Sequence, residues 1–295
     1  MNVEFVLPGL AVLAVAVGLG IARWPLVPRA DVWALTTVSM VAAATVASVV
    51  VTTVAGFVLG PARKAEIVQW CRIVPLHHEV TPIEGILATA AVAVMVTRVI
   101  LVMQQRRAAL VPTDGRRLAV LDTDEPVAYA TPGKPGCVVV STGLLSVLEP
   151  RERQVVIAHE RAHLQQAHHR VLLIGALAVA VVPLLGPLVE RLCLATERQA
   201  DEDAVVAMGG DRQLVATAIA KAAINKASFD GLVPAIGGGS VVARVEALTG
   251  RPPGRWTIRT GVALAAAGTA AVVAAGSIQI HHIWILADHV CHGEA

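Results

Sequence analysis

Two histidines four residues apart, His159 and His163, flank a glutamate, Glu160, in the stretch Val155-Val156-Ile157-Ala158-His159-Glu160-Arg161-Ala162-His163. On a helix that spacing projects both imidazoles from one face. One Zn²⁺ ion takes two nitrogen ligands from such a pair. Glu160 stands beside them, where a carboxylate can accept a proton from water activated at the metal. The bland reading is a chance pattern on a polar helix. Apolar Val155, Val156 and Ile157 argue for a genuine helix, starting near Glu149 or Pro150.

A catalytic zinc site needs a third protein ligand and one open position. His169 has the spacing of the longer HExxHxxGxxH pattern, but Gln166 stands where that pattern needs a glycine. His168 and His169, beside Arg170, read as interfacial residues where a helix meets the membrane. The better third ligand is Glu197, in Ala195-Thr196-Glu197-Arg198-Gln199-Ala200-Asp201-Glu202-Asp203-Ala204. Asp201 follows it by four residues, so the two carboxylates share one helical face. Asp201 is then placed to hold a ligating histidine in one tautomer. The competing reading is a solvated acidic helix, which suits Glu202 and Asp203.

These residues must be carried by a chain that is unusually apolar. Of its 295 residues, 55% are hydrophobic and 16% charged. Ordinary soluble domains hold about 25% charged residues. That balance argues against a disordered, fibrous or wholly soluble protein. The net charge of +2 leaves no basic field to make nucleic acid a direct partner.

The expected fold is a mainly α integral membrane protein with four transmembrane helices. A re-entrant or interfacial helical hairpin and a small α+β zincin-like cytoplasmic domain complete it. The spans are Phe5 to Ala22, a stretch inside Val32 to Ala62, about Thr81 to Met103, and Thr260 to about Ala287. Basic residues set the orientation. Arg23 and Arg29 fill the first connection, and Arg98, Arg106, Arg107, Arg116 and Arg117 follow the third span. Arg251, Arg255 and Arg259 precede the last span, against only Arg63, Lys64 and Arg72 on the other side. This predicts a multi-pass plasma-membrane protein with residues 1–103 as a three-helix region. Residues 104–259 form the cytoplasmic peptidase-like domain, 260–287 the last span and 288–295 an outer tail.

A fifth apolar run, Val171 to Val189, is interrupted by Pro183, Gly186 and Pro187. His163 and Glu197 can share an ion only if they lie on the same membrane face, so one crossing between them is forbidden. Each arm of about 12 residues reaches ~18 Å as helix, short of the ~30 Å hydrocarbon core. The chain is therefore expected to enter and return across 171–194.

Ahead of the zinc helix, Val127 to Thr131 reads as a strand, followed by Pro132-Gly133 and the β-rich run Cys137 to Thr142. Val138, Val139 and Val140 are the expected edge strand for an extended peptide, held by main-chain hydrogen bonds. The plain alternative is a sheet that only packs under the helix. Ser141 or Thr142 is expected to cap a short helix over Gly143 to Leu148. Cys71 and Cys291 both fall on the predicted outer face, a candidate disulfide pair, while Cys137 and Cys193 fall inside. Six histidines, at 77, 78, 281, 282, 289 and 292, read as interfacial residues at helix ends.

The turn Pro132-Gly133, the strand Val138 to Val140, Ser141-Thr142-Gly143-Leu144-Leu145, His159-Glu160-x-x-His163 and Glu197-x-x-x-Asp201 together resemble the M56 membrane zinc metallopeptidases, the BlaR1/MecR1-like signal transducers. They are also similar to the related M48 peptidases of the HtpX and Ste24 kind. The resemblance covers roughly residues 80–250. It implies one zinc per chain held by His159, His163 and Glu197, with Glu160 as general acid/base. Arg244 looks like the arginine that follows His-Pro in M48 members, although no His-Pro precedes it here. Tyr129 and Arg244 are the candidate transition-state donors. The resemblance is to the membrane protease module without the penicillin-binding sensor domain that the antibiotic receptors carry after the last span.

The resemblance implies an endopeptidase that relays a signal by cutting a cytoplasmic protein, with a BlaI/MecI-like transcriptional repressor as the suggested substrate. Membrane protein quality control is the alternative. A non-proteolytic, zinc-stabilised receptor or scaffold is the alternative of another class. The expected partners are a protein or peptide substrate and the lipid bilayer, with a homodimer as a candidate assembly.

Overall fold

The computed structural model describes residues 3–21, 28–58, 81–108, 115–229, 238–250, 259–263 and 265–277. Three long apolar helices come first: α1 (Val3–Ile21), α2 (Pro28–Val58) and α3 (Pro82–Ala108). Three short strands follow: β1 (Leu118–Leu121), β2 (Ala128–Thr131) and β3 (Cys137–Ser141). The remaining helices are α4 (Thr142–Val147), α5 (Pro150–Gln165), α6 (His168–Val181), α7 (Gly186–Ala207), α8 (Arg212–Phe229), α9 (Gly238–Thr249) and α10 (Arg259–Ser277).

Among the described residues, three helices are long and apolar enough to cross a membrane: Pro28–Ala55, Pro82–Arg107 and Arg259–Ser277. The expected first span does form a helix, whose shorter apolar stretch is Gly9–Ile21. The far end of the last expected span, the outer tail, the six outer-face histidines and the Cys71–Cys291 pair lie outside the described residues. Side chains such as Ile83, Ile86, Leu87 and Val94 stand well exposed along α3. That suits a surface turned to lipid rather than water.

The run between the two halves of the site turns back on itself. Helix α6 ends at Val181, Pro183–Leu185 forms a single 3₁₀ turn, and α7 returns. Proline at 183 removes a donor and closes the first arm, and Pro187 opens the second at a first-turn position that needs no donor. The arms pack at Gly175, where an added Cβ would meet Val189 Cγ1 at 3.0 Å. Val182, Leu185, Leu188 and Leu192 from this hairpin join Val12 and Ala16 of α1 and Leu35 and Val38 of α2 in one buried cluster.

A second core serves the domain that holds the site. Val155 of α5, Ala204 and Val205 of α7, Val215 and Ile219 of α8 and Leu248 of α9 bury one another there. Helix α5 begins as predicted. Pro150 takes the first turn, and the Glu149 N–H donates to Glu152 Oε2 at 2.9 Å. Lys221 Nζ of α8 reaches Glu152 Oε1 at 2.6 Å and fastens the two helices.

The sheet order is β1-β3-β2, with β1 parallel and β2 antiparallel to β3. This corrects the placement of Val138, Val139 and Val140 on an edge. They pair with Leu118–Val120 on one side and with Ala128–Ala130 on the other, so their main-chain groups are already taken. Every residue of β3 is buried, the mark of a strand covered on both faces. The edges are β1 and β2, and β1 was not foreseen. Ser141 caps α4 as expected, its Oγ accepting from the Leu144 N–H at 3.0 Å. Gly143 is obligatory at its place, because a Cβ there would run into the Asp124 carbonyl.

Candidate metal centre

Helices α5 and α7 pack side by side, and their facing surfaces bring three ligand atoms to one point. His159 Nε2 and His163 Nε2 are 3.1 Å apart. Glu197 Oε2 lies 3.4 Å from His159 Nε2, and Glu197 Oε1 lies 3.5 Å from His163 Nε2. Ligands about 2.1 Å from zinc at tetrahedral angles stand roughly 3.4 Å apart. With one oxygen taken from Glu197, the three ligand atoms lie within 4.8 Å of one another, close enough to share one ion. Two bare imidazole nitrogens so close would repel unless a cation or proton lay between them. The donor set thus fits zinc, and among the described residues these three form the group able to hold a metal.

The outer nitrogens of both rings are held too. His159 Nδ1 lies 2.9 Å from Asp201 Oδ1, an ion-pair approach rather than a well-aligned hydrogen bond. Asp201 is in turn gripped by Arg244 of α9, whose Nε donates to Oδ2 at 2.8 Å and Nη2 to Oδ1 at 2.7 Å. Arg244 Nη1 also reaches Glu197 Oε2 at 3.0 Å. The structure therefore places Arg244 as a brace for the two carboxylates of α7. Tyr129 sits on β2 opposite Val139, 37% exposed. Strand β2 packs against α5, the helix that carries both histidines.

His168 overturns the interfacial reading. It is 1% exposed, deep inside the site. Its Nδ1 lies 3.0 Å from His163 Nδ1, and its Nε2 lies 3.3 Å from Gln199 Oε1. The reason is a break that the sequence does not announce. Helix α5 stops at Gln165, Ala167 adopts a left-handed conformation (φ 52°), and α6 restarts at His168. On an unbroken helix His168 would point away from His163. Gln199, buried between Glu197 and Asp201 on α7, was likewise missed. His169 joins no ligand group among the described residues.

Electrostatics follow from this packing. Burial works against a charge on His159, but the close carboxylates of Asp201 and Glu197 win and hold its pKa at about 9. His163, buried beside a cationic His159, is pushed down to about 4. Burial alone would raise Glu197, yet His159, Arg244 and His163 pull it down to about 2. Glu160 is pushed above the ordinary carboxylate range, chiefly by burial.

Residues 89–228 match the model of Peptidase family M48. The match takes in His159, Glu160, His163, Glu197 and Asp201 and stops before Arg244. The chain is 36% identical over 98 residues to a protein named "Protease HtpX homolog" from Dictyoglomus thermophilum, covering 32% of each chain. It is 37% identical over 78 residues to a protein of the same name from Listeria innocua, covering 26% of each. A third, from Ralstonia nicotianae, is 36% identical over 74 residues, or 24% of this chain and 25% of its own. The matched stretch thus spans about a third or less of these relatives. No solved structure matches the chain. The likeness supports a relation to the M48 peptidases. It favours the M48 side of the sequence resemblance over the M56 side.

Proposed function

We propose that this protein is a membrane zinc endopeptidase of the HtpX kind, working in membrane protein quality control with its site at the cytoplasmic face. The observation that carries the reading is the convergence of His159 Nε2, His163 Nε2 and the Glu197 carboxylate on two packed helices. The M48 match over the same residues supports it. The names of the matched relatives favour quality control over relay to a repressor.

Zinc held there supplies a Lewis acid that polarises a scissile carbonyl and makes water more acidic. The work of the chain is to hold groups and move protons. Glu160, with its pKa raised by burial, accepts the proton of the attacking water and returns it to the leaving amine. Arg244 and Asp201 keep His159 facing inward. The free edge of β2 lays out the substrate backbone.

The deciding experiment uses the full chain purified in lipid, with zinc quantified and cleavage of an unfolded protein followed by gel. Glu160→Gln is expected to keep its zinc and lose at least about a hundredfold in rate. Glu197→Ala is expected to lose zinc. Cleavage by Glu160→Gln at the wild-type rate would reject the mechanism. Zinc bound without any cleavage would favour the scaffold reading. Trapping by Glu160→Gln of a single DNA-binding repressor, rather than many membrane proteins, would favour signalling.

A further inference from the structure

We propose that His168 is a positioning residue for the metal centre, and that it holds the second histidine ligand through an uncharged acceptor. This rests on His159, His163 and Glu197 being the zinc ligands. With Nε2 of His163 turned to the metal, its Nδ1 must carry the proton. The atom facing that proton, 3.0 Å away, is His168 Nδ1. His168 therefore accepts there, and its own proton sits on Nε2. That nitrogen faces Gln199 Oε1 at 3.3 Å, an acceptor, which suits the same tautomer. Both partners are buried, His168 at 1% and Gln199 at 6% exposure, so neither water nor a rotamer change can replace the link cheaply.

The two ligands are thus braced differently. His159 leans on a carboxylate that is itself held by Arg244. His163 leans on a neutral imidazole ending in an amide. A carboxylate partner makes a ligating imidazole more basic than a neutral one does. The neutral chain leaves the metal more electrophilic while still locking the ring. The backbone is bent to permit this. Ala167 takes a left-handed conformation without being glycine, and that one residue turns His168 inward.

The test compares zinc affinities of full-length variants by chelator competition, with the thermal midpoint of the zinc-free form as the folding control. His168→Leu removes the acceptor at similar bulk and is expected to weaken zinc by about 10–100-fold. His168→Asn restores an acceptor oxygen close to the position of Nδ1 and is expected to stay within about threefold of wild type, a rescue that mere packing would not produce. Gln199→Leu frees the His168 tautomer and is expected to weaken zinc severalfold, which keeps the proposal testable if His168→Leu does not fold. Wild-type affinity in both leucine variants, or equal loss in His168→Asn and His168→Leu, would overturn it. A wild-type protein that binds no zinc would instead overturn the metal-site reading beneath it.

Discussion

His159 and His163 offer the same atom to the same point, yet without metal they begin in opposite protonation states. The carboxylates around His159 keep it cationic up to about pH 9, whereas His163 is neutral down to about pH 4. Zinc arriving at neutral pH must therefore displace one proton, from His159. The folded-state pKa is raised, so the competing proton is present throughout the neutral range and is lost as pH climbs through about 9. Zinc affinity is expected to rise by up to about tenfold per pH unit from 6.5 to 9 and then level off. Titration calorimetry in buffers of different ionisation enthalpy should find close to one proton released per ion at pH 7. A pH-independent affinity across that range would refute the assignment. The approach of His159 to His163 was legible, because spacing by four on a helix is a purely local rule. His168 was not, because its position depends on Ala167 leaving the helical region, and Gln165-Gln166-Ala167 contains no glycine to signal it.

At the scale of elements, the hairpin of α6 and α7 was readable from chemistry. A shared ion forbids a single crossing, and Pro183 with Gly186 marks the reversal. The order of the sheet was not readable in the same way. Strand neighbours are fixed by long-range pairing, and β1 is only Leu-Ala-Val-Leu between charged flanks. The unbroken apolar run of β3 suits the middle strand that it forms, not the edge expected for Val138, Val139 and Val140. The hairpin closes tightly at Gly175, whose absent Cβ leaves room for Val189 and Leu192. Gly175→Leu is expected to wedge the arms apart and cost about 1–3 kcal/mol. Bound zinc should fall with it, since α7 carries Glu197. A thermal midpoint and zinc content both equal to wild type would contradict this picture of the reversal.

Across the whole molecule, a buried ion pair fastens the apolar bundle to the helix that bears the third ligand. Arg191 of α7 donates to Asp31 of α2 at 3.0 Å and to the Leu19 carbonyl of α1 at 2.8 Å. Removing one charge strands the other, a loss of about 3 kcal/mol or more, whereas replacing both with apolar groups is close to neutral. Asp31→Ala should therefore lower the thermal midpoint in lipid by several degrees, and Asp31→Leu with Arg191→Met should recover most of it. Equal loss in the single and double variants would show that something other than the pair holds α2 to α7.

Helix α7 is one continuous rod with its ends in two different cores. Leu188 and Leu192 are buried among α1 and α2, while Ala204 and Val205 are buried against α8. Glu197 sits between them, about 9 Å along the axis from Arg191 at 1.5 Å per residue. A stiff beam clamped at both ends cannot shift at one without carrying its middle. Grip on the ion and cohesion of the greasy bundle are then a single thermodynamic account, with each strengthening the other by the same amount.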